Sequence, residues 1–410
     1  MAADLGLLYR LKILLLTQIV PFPPDSGPKV KTYHVLRYLA ERGHRVTLAS
    51  FTRAAEVQHL DALRPLCEAA HAVPLRRSRL ADARAYVRSV REGEPFLVAR
   101  DDLPAMRELV ARLTREQAFD IVHADQLTMG QFAIGARGPR RVFDAHNAVW
   151  TIVARAARTA PAPLRPLLGR EARLVKRHEG KLCREMDAVL AVSEADRLKL
   201  LEAGARADNI TVVPIAIDTR RLARVTARPD AQDIVTMGTL YYPPNADGVR
   251  CFIREVFPRV RARVATATLT VIGPRPPRDI ARMAHSGTIS VTGYVPELVP
   301  YLERAAVVVV PVRAGSGMRV RILEALARGV AVVTTTRGAE GIDVRNEEHL
   351  LIADEPEAFA VAVARLLNDP ALRRRLADNG RRLVEQKYDW QVALPGVEAA
   401  YETTLRAEPA

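Results

Sequence analysis

Residues 305–335 read AAVVVVPVRAGSGMRVRILEALARGVAVVTT, and the fold follows from how this stretch divides. The run from Ala305 to Val310 is continuously apolar and β-branched, the pattern of a strand buried on both faces. Pro311 ends it, and Gly315-Ser316-Gly317 makes a turn. A helix is expected from about Met318 to Arg328, with Gly329 as its stop and a second buried strand behind it. Strand, turn, helix and strand form one βαβ unit. Its turn suits a nucleoside diphosphate: glycines let backbone approach an anion, and a helix start offers unpaired N–H groups and a positive dipole end. Arg319 and Arg321 add forked cationic donors for phosphate oxygens. Glu324 lies three residues past Arg321 on the same helix face, where a carboxylate can accept from ribose hydroxyls. A purely structural account competes: Arg321, Glu324 and Arg328 could form intrahelical ion pairs worth roughly 0.2–0.5 kcal/mol each.

The same rhythm extends outward in both directions. DIVTMGTL, ATLTVIG, ISVTGY, VAVVTTT and HLLIAD are further strands of this half, separated by helical stretches such as NADGVRCFIREVFPRV. The first half repeats the alternation with KILLLTQI, HRVTLASF, DIVHAD, RRVFDAH and AVLAVS. Between the halves lies a polar, basic segment containing Pro229, which has the composition of a linker. We therefore expect an α/β protein of two Rossmann-like doubly wound domains facing a central cleft: an acceptor-binding domain over 1–218, a linker over 219–232 and a nucleotide-binding domain over 233–385. A C-terminal helical segment, 386–410, is expected to pack back on the first domain. Ligands in such folds sit at carboxyl-terminal strand ends.

A chain of 410 residues, 49% apolar and 26% charged, is long enough for two cores and ordinary for a globular enzyme. Cys67, Cys183 and Cys251 have no metal-ligand spacing and fit a reducing compartment. The opening residues make a poor export signal, and no window approaches a membrane span, so a cytoplasmic location is expected. The net charge of +14 is concentrated between Arg137 and Arg184, where twelve basic residues face three acidic ones. Such a field attracts anionic lipid or phosphorylated substrates. Aromatics are only 5% and no basic–aromatic stacking platform is present, which argues against nucleic acid as partner.

The stretch GSGMRVRILEALARGVAVVTT resembles the donor-site signature of glycosyltransferase family 4, in the branch reading Gly-Ser-Gly-Thr-Arg-Leu-Lys-Ile-Leu-Glu-Ala. The likeness continues through MGTLYYPPNADGVRCFIREVFP, VTGYVPELVPYLERAAVVVVPV, TTTRGAEGIDV and HLLIADEPEAFAVAVARLL. In the first half it takes in QIVPFPPDSGPKVKTYHVLRYLAERGHRVTLASF, VFDAHNAVW and AVLAVSEADRLKL, in family order. The resemblance implies the two-domain fold called GT-B. It also implies a retaining, metal-independent transfer of a sugar from a nucleoside-diphosphate sugar, without a further cofactor, to a saccharide, lipid-linked or small-molecule acceptor. Synthesis of cell-surface polysaccharide or glycoconjugate is the setting it suggests.

By resemblance, Glu324 binds the donor ribose, while Gly315, Ser316, Gly317, Met318, Arg319 and Arg321 hold diphosphate and sugar. Gly293, Tyr294 and Val295 meet the base, and Gly238 and Thr239 line the same site. Asn245 is expected to cap the helix that follows it. In the first half, Asp25, Ser26 and Gly27 form the loop after the first strand, and His146 corresponds to the family's active-site histidine. Asn147, His123, Asp125, Gln126 and Arg100 are expected on the acceptor side. Three departures stand out. Ser316 occupies the place of the first glutamate of a common pair, Arg321 replaces a usual lysine, and Thr239 and Pro244 stand where an arginine and a lysine often follow the second domain's first strand. Arg319 and Arg321 then carry the phosphate charge almost alone, and together with the helix start would stabilise the departing diphosphate. An epimerase or hydrolase on the same architecture, or a non-catalytic binder of sugar nucleotides, remains a rival. The basic segment 155–184 is expected to form a helix that touches anionic membrane at its surface.

Overall fold

The structure is a computed structural model, and it describes residues 10–226, 228, 231–284, 287–315 and 317–407. Two compact units are present. Unit 1 comprises the chain to Pro214 together with the segment from Leu394, and unit 2 comprises Ile215–Ala393.

Unit 1 is built on a seven-stranded sheet: β1 (Lys12–Thr17), β2 (Arg45–Thr52), β3 (Ala69–Pro74), β4 (Ile121–Asp125), β5 (Arg140–Ala145), β6 (Ala188–Ala191) and β7 (Ile210–Val212). Their spatial order is β3-β2-β1-β4-β5-β6-β7, and every pairing is parallel. Ile13, Leu14, Leu15 and Leu16 are fully buried, because helices cover both faces of the sheet. β3 was not foreseen. It is an edge strand in which only Val73 is buried, so it lacks the apolar run by which interior strands are recognised.

Unit 2 carries a six-stranded parallel sheet: β8 (Asp233–Met237), β9 (Thr268–Ile272), β10 (Ile289–Gly293), β11 (Ala305–Val310), β12 (Val332–Thr334) and β13 (Leu351–Ile352), in the order β10-β9-β8-β11-β12-β13. All six residues of β11 are buried, as its uniformly apolar sequence requires. Strand order reverses between β1 and β4 in unit 1 and between β8 and β11 in unit 2. The carboxyl ends flanking these reversals are where doubly wound sheets bind ligands.

The unit boundaries differ from the sequence-based ones for a local reason. Ile217 donates its N–H to Tyr388 O and accepts from Trp390 N–H, both at 2.9 Å, which ties the chain after β7 to unit 2. The helix Pro370–Lys387 also stays there, since Gly380 receives Leu326 closely and Arg381 donates to Ala327 O at 2.5 Å. The chain returns to unit 1 only with the helix Pro395–Arg406. Among the described residues, no helix is long and apolar enough to cross a membrane.

Candidate active site

In unit 2 the expected donor residues gather at the ends of β8, β10 and β11. The helix after β11 spans Val320–Ala327, with Arg319 as its N-cap, two residues later than expected. Glycines at φ +101° (Gly315) and +84° (Gly317) make the preceding turn, a conformation that L side chains avoid. Ser316 lies outside the described residues. The Arg319 guanidinium curls back onto Gly317 O at 2.5 Å.

Arg321 reaches across to β8. Its Nη1 donates to Met237 O at 3.2 Å and its Nη2 to Asn245 Oδ1 at 2.9 Å, while Nε is buried without a partner among the described residues. Burial, reinforced by repulsion from Arg319, lowers the Arg321 pKa to about 10, so the group stays charged at neutral pH. No ion pair forms among Arg321, Glu324 and Arg328, which disposes of the intrahelical salt-bridge account for these described residues. Glu324 is half-buried, and burial raises its pKa against the pull of Arg328 and Arg321.

Asn245 does not cap the helix Pro243–Cys251, whose N-cap is Tyr242. It sits inside the first turn and donates from Nδ2 to Thr239 O at 3.0 Å, so it links the Gly238-Thr239 turn to Arg321. Gly238 has φ +150° and lies beneath the Arg321 guanidinium. Gly293 closes β10 with φ +74°, its carbonyl accepting from Gly273 N–H at 2.9 Å. Tyr294 next to it is 69% exposed, Val295 is half-buried and Met318 is buried.

In unit 1 a buried polar network occupies the ends of β4 and β5. Lys31, from the helix Gly27–Glu41, pairs with Asp144, and both are almost wholly buried. Burial alone would raise the Asp144 pKa, but Lys31, His123 and His146 hold it well below the usual carboxylate range. His123 is fully buried: Nδ1 lies 2.6 Å from Tyr401 Oη, and Nε2 lies 3.5 Å from Asp144. Its expected contact with an acceptor therefore gives way to an internal role. His146 Nε2 is 2.8 Å from Asp125 Oδ1. His123, Asp125 and Asp144 bring ligand-type atoms within 4.8 Å of one another, the spacing of a metal site. Lys31, His146 and Tyr401 already engage members of that trio, so the same atoms also serve a network of the protein's own groups.

The remaining expected residues have their own local settings. Asp25 pairs with Lys29 at 3.3 Å, Ser26 is the N-cap of the helix Gly27–Glu41 without a side-chain bond, and Gly27 is its first residue. Gln126 adopts φ +74° and ψ 159°, a region that glycine alone enters easily, while its N–H donates to Asp144 O at 3.0 Å. Asn147 buries an Oδ1 that has no hydrogen-bond partner among the described residues. Arg100 lies farther along the fold, 3.5 Å from Asp101 and over the Phe96 ring. Two carboxylates that sequence reasoning passed over fix the segment after His146. Asp196 accepts from Ala148 N–H at 3.1 Å, and Glu179 accepts from Val149 N–H at 2.9 Å and Trp150 N–H at 3.2 Å, at the start of the helix Val149–Thr159. Glu179 lies in no stretch quoted above, and Asp196, although it lies within AVLAVSEADRLKL, acts on a backbone N–H forty-eight positions away.

A family model described as "Glycosyltransferase Family 4" matches residues 26–221, and one described as "Glycosyl transferases group 1" matches residues 231–369. The chain is 26% identical over 410 residues to an MMP alpha-(1->4)-mannosyltransferase of Mycolicibacterium hassiacum, covering 93% of this chain and 95% of that protein. It is 29% identical over 252 residues to a glycogen synthase of Mycobacterium tuberculosis, covering 58% of this chain and 60% of that protein. Among solved structures, sucrose-phosphate synthase from Thermosynechococcus elongatus matches with a TM-score of 0.74 at 18% identity, over 97% of this chain and 100% of that one. Anabaena Alr3699/HepE in complex with UDP-glucose matches with a TM-score of 0.68 at 15% identity, over 96% and 100%. At these identities the structural likeness speaks for the fold.

Proposed function

The chain belongs to glycosyltransferase family 4, and we propose that it is a retaining enzyme moving a sugar from a nucleoside-diphosphate sugar to a saccharide, lipid-linked or small-molecule acceptor in polysaccharide or glycoconjugate synthesis. The observation that carries the donor side is Arg321. Its guanidinium is desolvated, repelled by Arg319 and left with a buried Nε that has no partner among the described residues. Two cations pressed together beside a glycine turn are unfavourable alone and favourable around a pyrophosphate.

In this reading the bond between the anomeric carbon and the diphosphate oxygen breaks, and the acceptor oxygen bonds to that carbon on the same face. The acceptor's proton passes to the departing diphosphate. Arg319, Arg321 and the N–H groups at the start of the helix Val320–Ala327 stabilise the charge that develops there. No cofactor beyond the sugar nucleotide enters this scheme, and Glu324 takes the ribose.

A thermal-shift panel of UDP, GDP, ADP and TDP sugars tests it, since a ligand at a hundred times its Kd stabilises by about 2.7 kcal/mol. One base is expected to stabilise the wild type and to lose that effect in Arg321→Ala. No shift with any member, or equal shifts in both proteins, would overturn the donor site.

We also propose peripheral contact with anionic membrane through residues 155–184. Arg173, Arg177, Lys181 and Arg184 recur on the exposed side of the helix Arg165–Glu185. Leu164 and Leu167 are 49% and 43% exposed at its start, ready to enter a lipid interface. Co-sedimentation with vesicles containing about 30% anionic lipid is expected to exceed that with neutral vesicles and to fall with salt. Equal partitioning would sink this part of the reading.

A further inference from the structure

We infer that Asp125 is a positioning residue for His146, fixing the ring so that Nε2 carries the proton and Nδ1 the lone pair. The inference rests on the glycosyltransferase reading only for the meaning of His146, since the geometry stands without it. Asp125 closes β4 and is 1% exposed, while His146 follows the end of β5 and is 8% exposed. The separation of Nε2 and Asp125 Oδ1 is 2.8 Å. A carboxylate only accepts, so an unprotonated Asp125 requires Nε2 to be the donor.

The other carboxylate nearby does not compete for the ring. Asp144 is engaged by the Lys31 ammonium, with His123 behind it. Asp125 has no lysine or arginine partner among the described residues, and His146 is its one ionisable contact within ion-pair distance. Uncharged groups hold the carboxylate in place: the Thr32 hydroxyl lies 3.0 and 3.1 Å from its two oxygens, and Gln126 Nε2 lies 3.3 Å from Oδ2. On the far side of the ring His146 Nδ1 is buried without a hydrogen-bond partner among the described residues, so the hydrogen bond that orients the ring is the one at Nε2. This division of labour explains the fixed order of groups, in which one acid is neutralised by lysine and the second is kept for histidine.

The test is the tautomer itself. Long-range 1H–15N correlation spectra of the 410-residue chain labelled at its nine histidines, with His146→Gln identifying the signal, report which nitrogen is protonated. The spectra are taken about two pH units above the usual histidine value. The wild type is expected to show the Nε2–H pattern. Asp125→Asn and Asp125→Ala are expected to lose it, and Asp125→Glu to restore it at least in part. An Nδ1–H pattern in the wild type, or an unchanged pattern in Asp125→Ala, would overturn the assignment. The wild-type spectrum decides even if a variant fails to fold. It is independent of turnover, so an inactive protein with the expected pattern would refute the transferase reading and leave this one standing.

Discussion

The guanidinium of Arg321 lies so close over Gly238 that a Cβ built on that glycine would sit 2.2 Å from Nη1. The glycine, at φ +150°, is thus the floor on which the arginine rests as Nη1 donates to Met237 O at 3.2 Å. A methyl group there must push Arg321 aside, and it also strains a backbone that L residues seldom adopt.

Gly238→Ala is therefore expected to leave the fold intact and to weaken sugar-nucleotide binding roughly ten- to a hundredfold, the worth of one or two charged hydrogen bonds. Gly138→Ala, at φ +101° in the turn before β5, has open space around its added Cβ and lies outside the donor site, and so serves as the control for backbone strain. Titration calorimetry with the nucleotide that stabilises the wild type checks the pair. If both variants bind equally well, the close contact has no bearing on the site.

The parts of this site that were legible in sequence are those in which one short stretch does the whole task. β11 announces itself because six apolar residues in a row can only be buried on both faces, and the turn behind it because only glycine tolerates φ values near +100°. The parts that were not legible are made by residues far apart in the chain. Asn245 reads as a helix cap because asparagine before a helical run usually is one. Its actual task, joining Thr239 to Arg321, depends on a partner seventy-six positions away. His123 reads as a strand-end ligand, yet Tyr401, 278 positions along, claims it for the interior. Local rules register propensity and cannot register which distant side chain arrives.

Gln126 stores strain that a glycine would release. At φ +74° and ψ 159° a non-glycine residue costs on the order of 1–3 kcal/mol. The extra unfolded-state entropy of glycine returns roughly 0.5–1 kcal/mol of that. Gln126→Gly is expected to raise stability by about 1 kcal/mol in urea unfolding and to lower transfer, because the amide beside Asp125 is lost. A variant less stable than the wild type would show that the backbone there is not strained.

The helix Pro395–Arg406 is pinned to unit 1 by Glu398. Its carboxylate receives Tyr38 Oη, His44 Nε2 at 2.9 Å and Arg42 Nε at 3.1 Å. Burial alone would raise its pKa, but these three donors outweigh burial and hold it below the ordinary 4.5. A depressed carboxyl stabilises above its unfolded value and loses that contribution as pH falls through the folded one. Glu398→Ala is expected to cost at least about 2 kcal/mol near neutral pH, with the gap to the wild type narrowing in acid. A gap that stays constant down to about pH 3 would show that the charge contributes nothing.

Glu179 acts at the opposite end of the pH scale. It is fully buried, and although Val149 and Trp150 N–H groups favour its charged form, desolvation wins and pushes its pKa up from 4.5 to about 8, with Asp196 adding repulsion. The folded protein then keeps a proton that the unfolded chain gives up. The resulting stability is fully present below the unfolded value of 4.5 and is lost as pH rises through about 8. Glutamine has no proton to lose, so Glu179→Gln removes that slope. It keeps one acceptor oxygen for the two N–H groups, which lowers stability in acid. The thermal midpoint of Glu179→Gln is thus expected to lie below the wild type at about pH 5 and to gain on it steadily toward about pH 9. The start of the helix Val149–Thr159 lies two residues beyond Asn147, so the same ionisation should loosen the backbone carrying His146. Amide exchange at Val149 and Trp150 is expected to rise over that interval in the wild type beyond the ordinary pH dependence of the chemistry. Melting curves that run parallel for the two proteins would mean that Glu179 is already ionised at neutral pH, held by its two N–H donors.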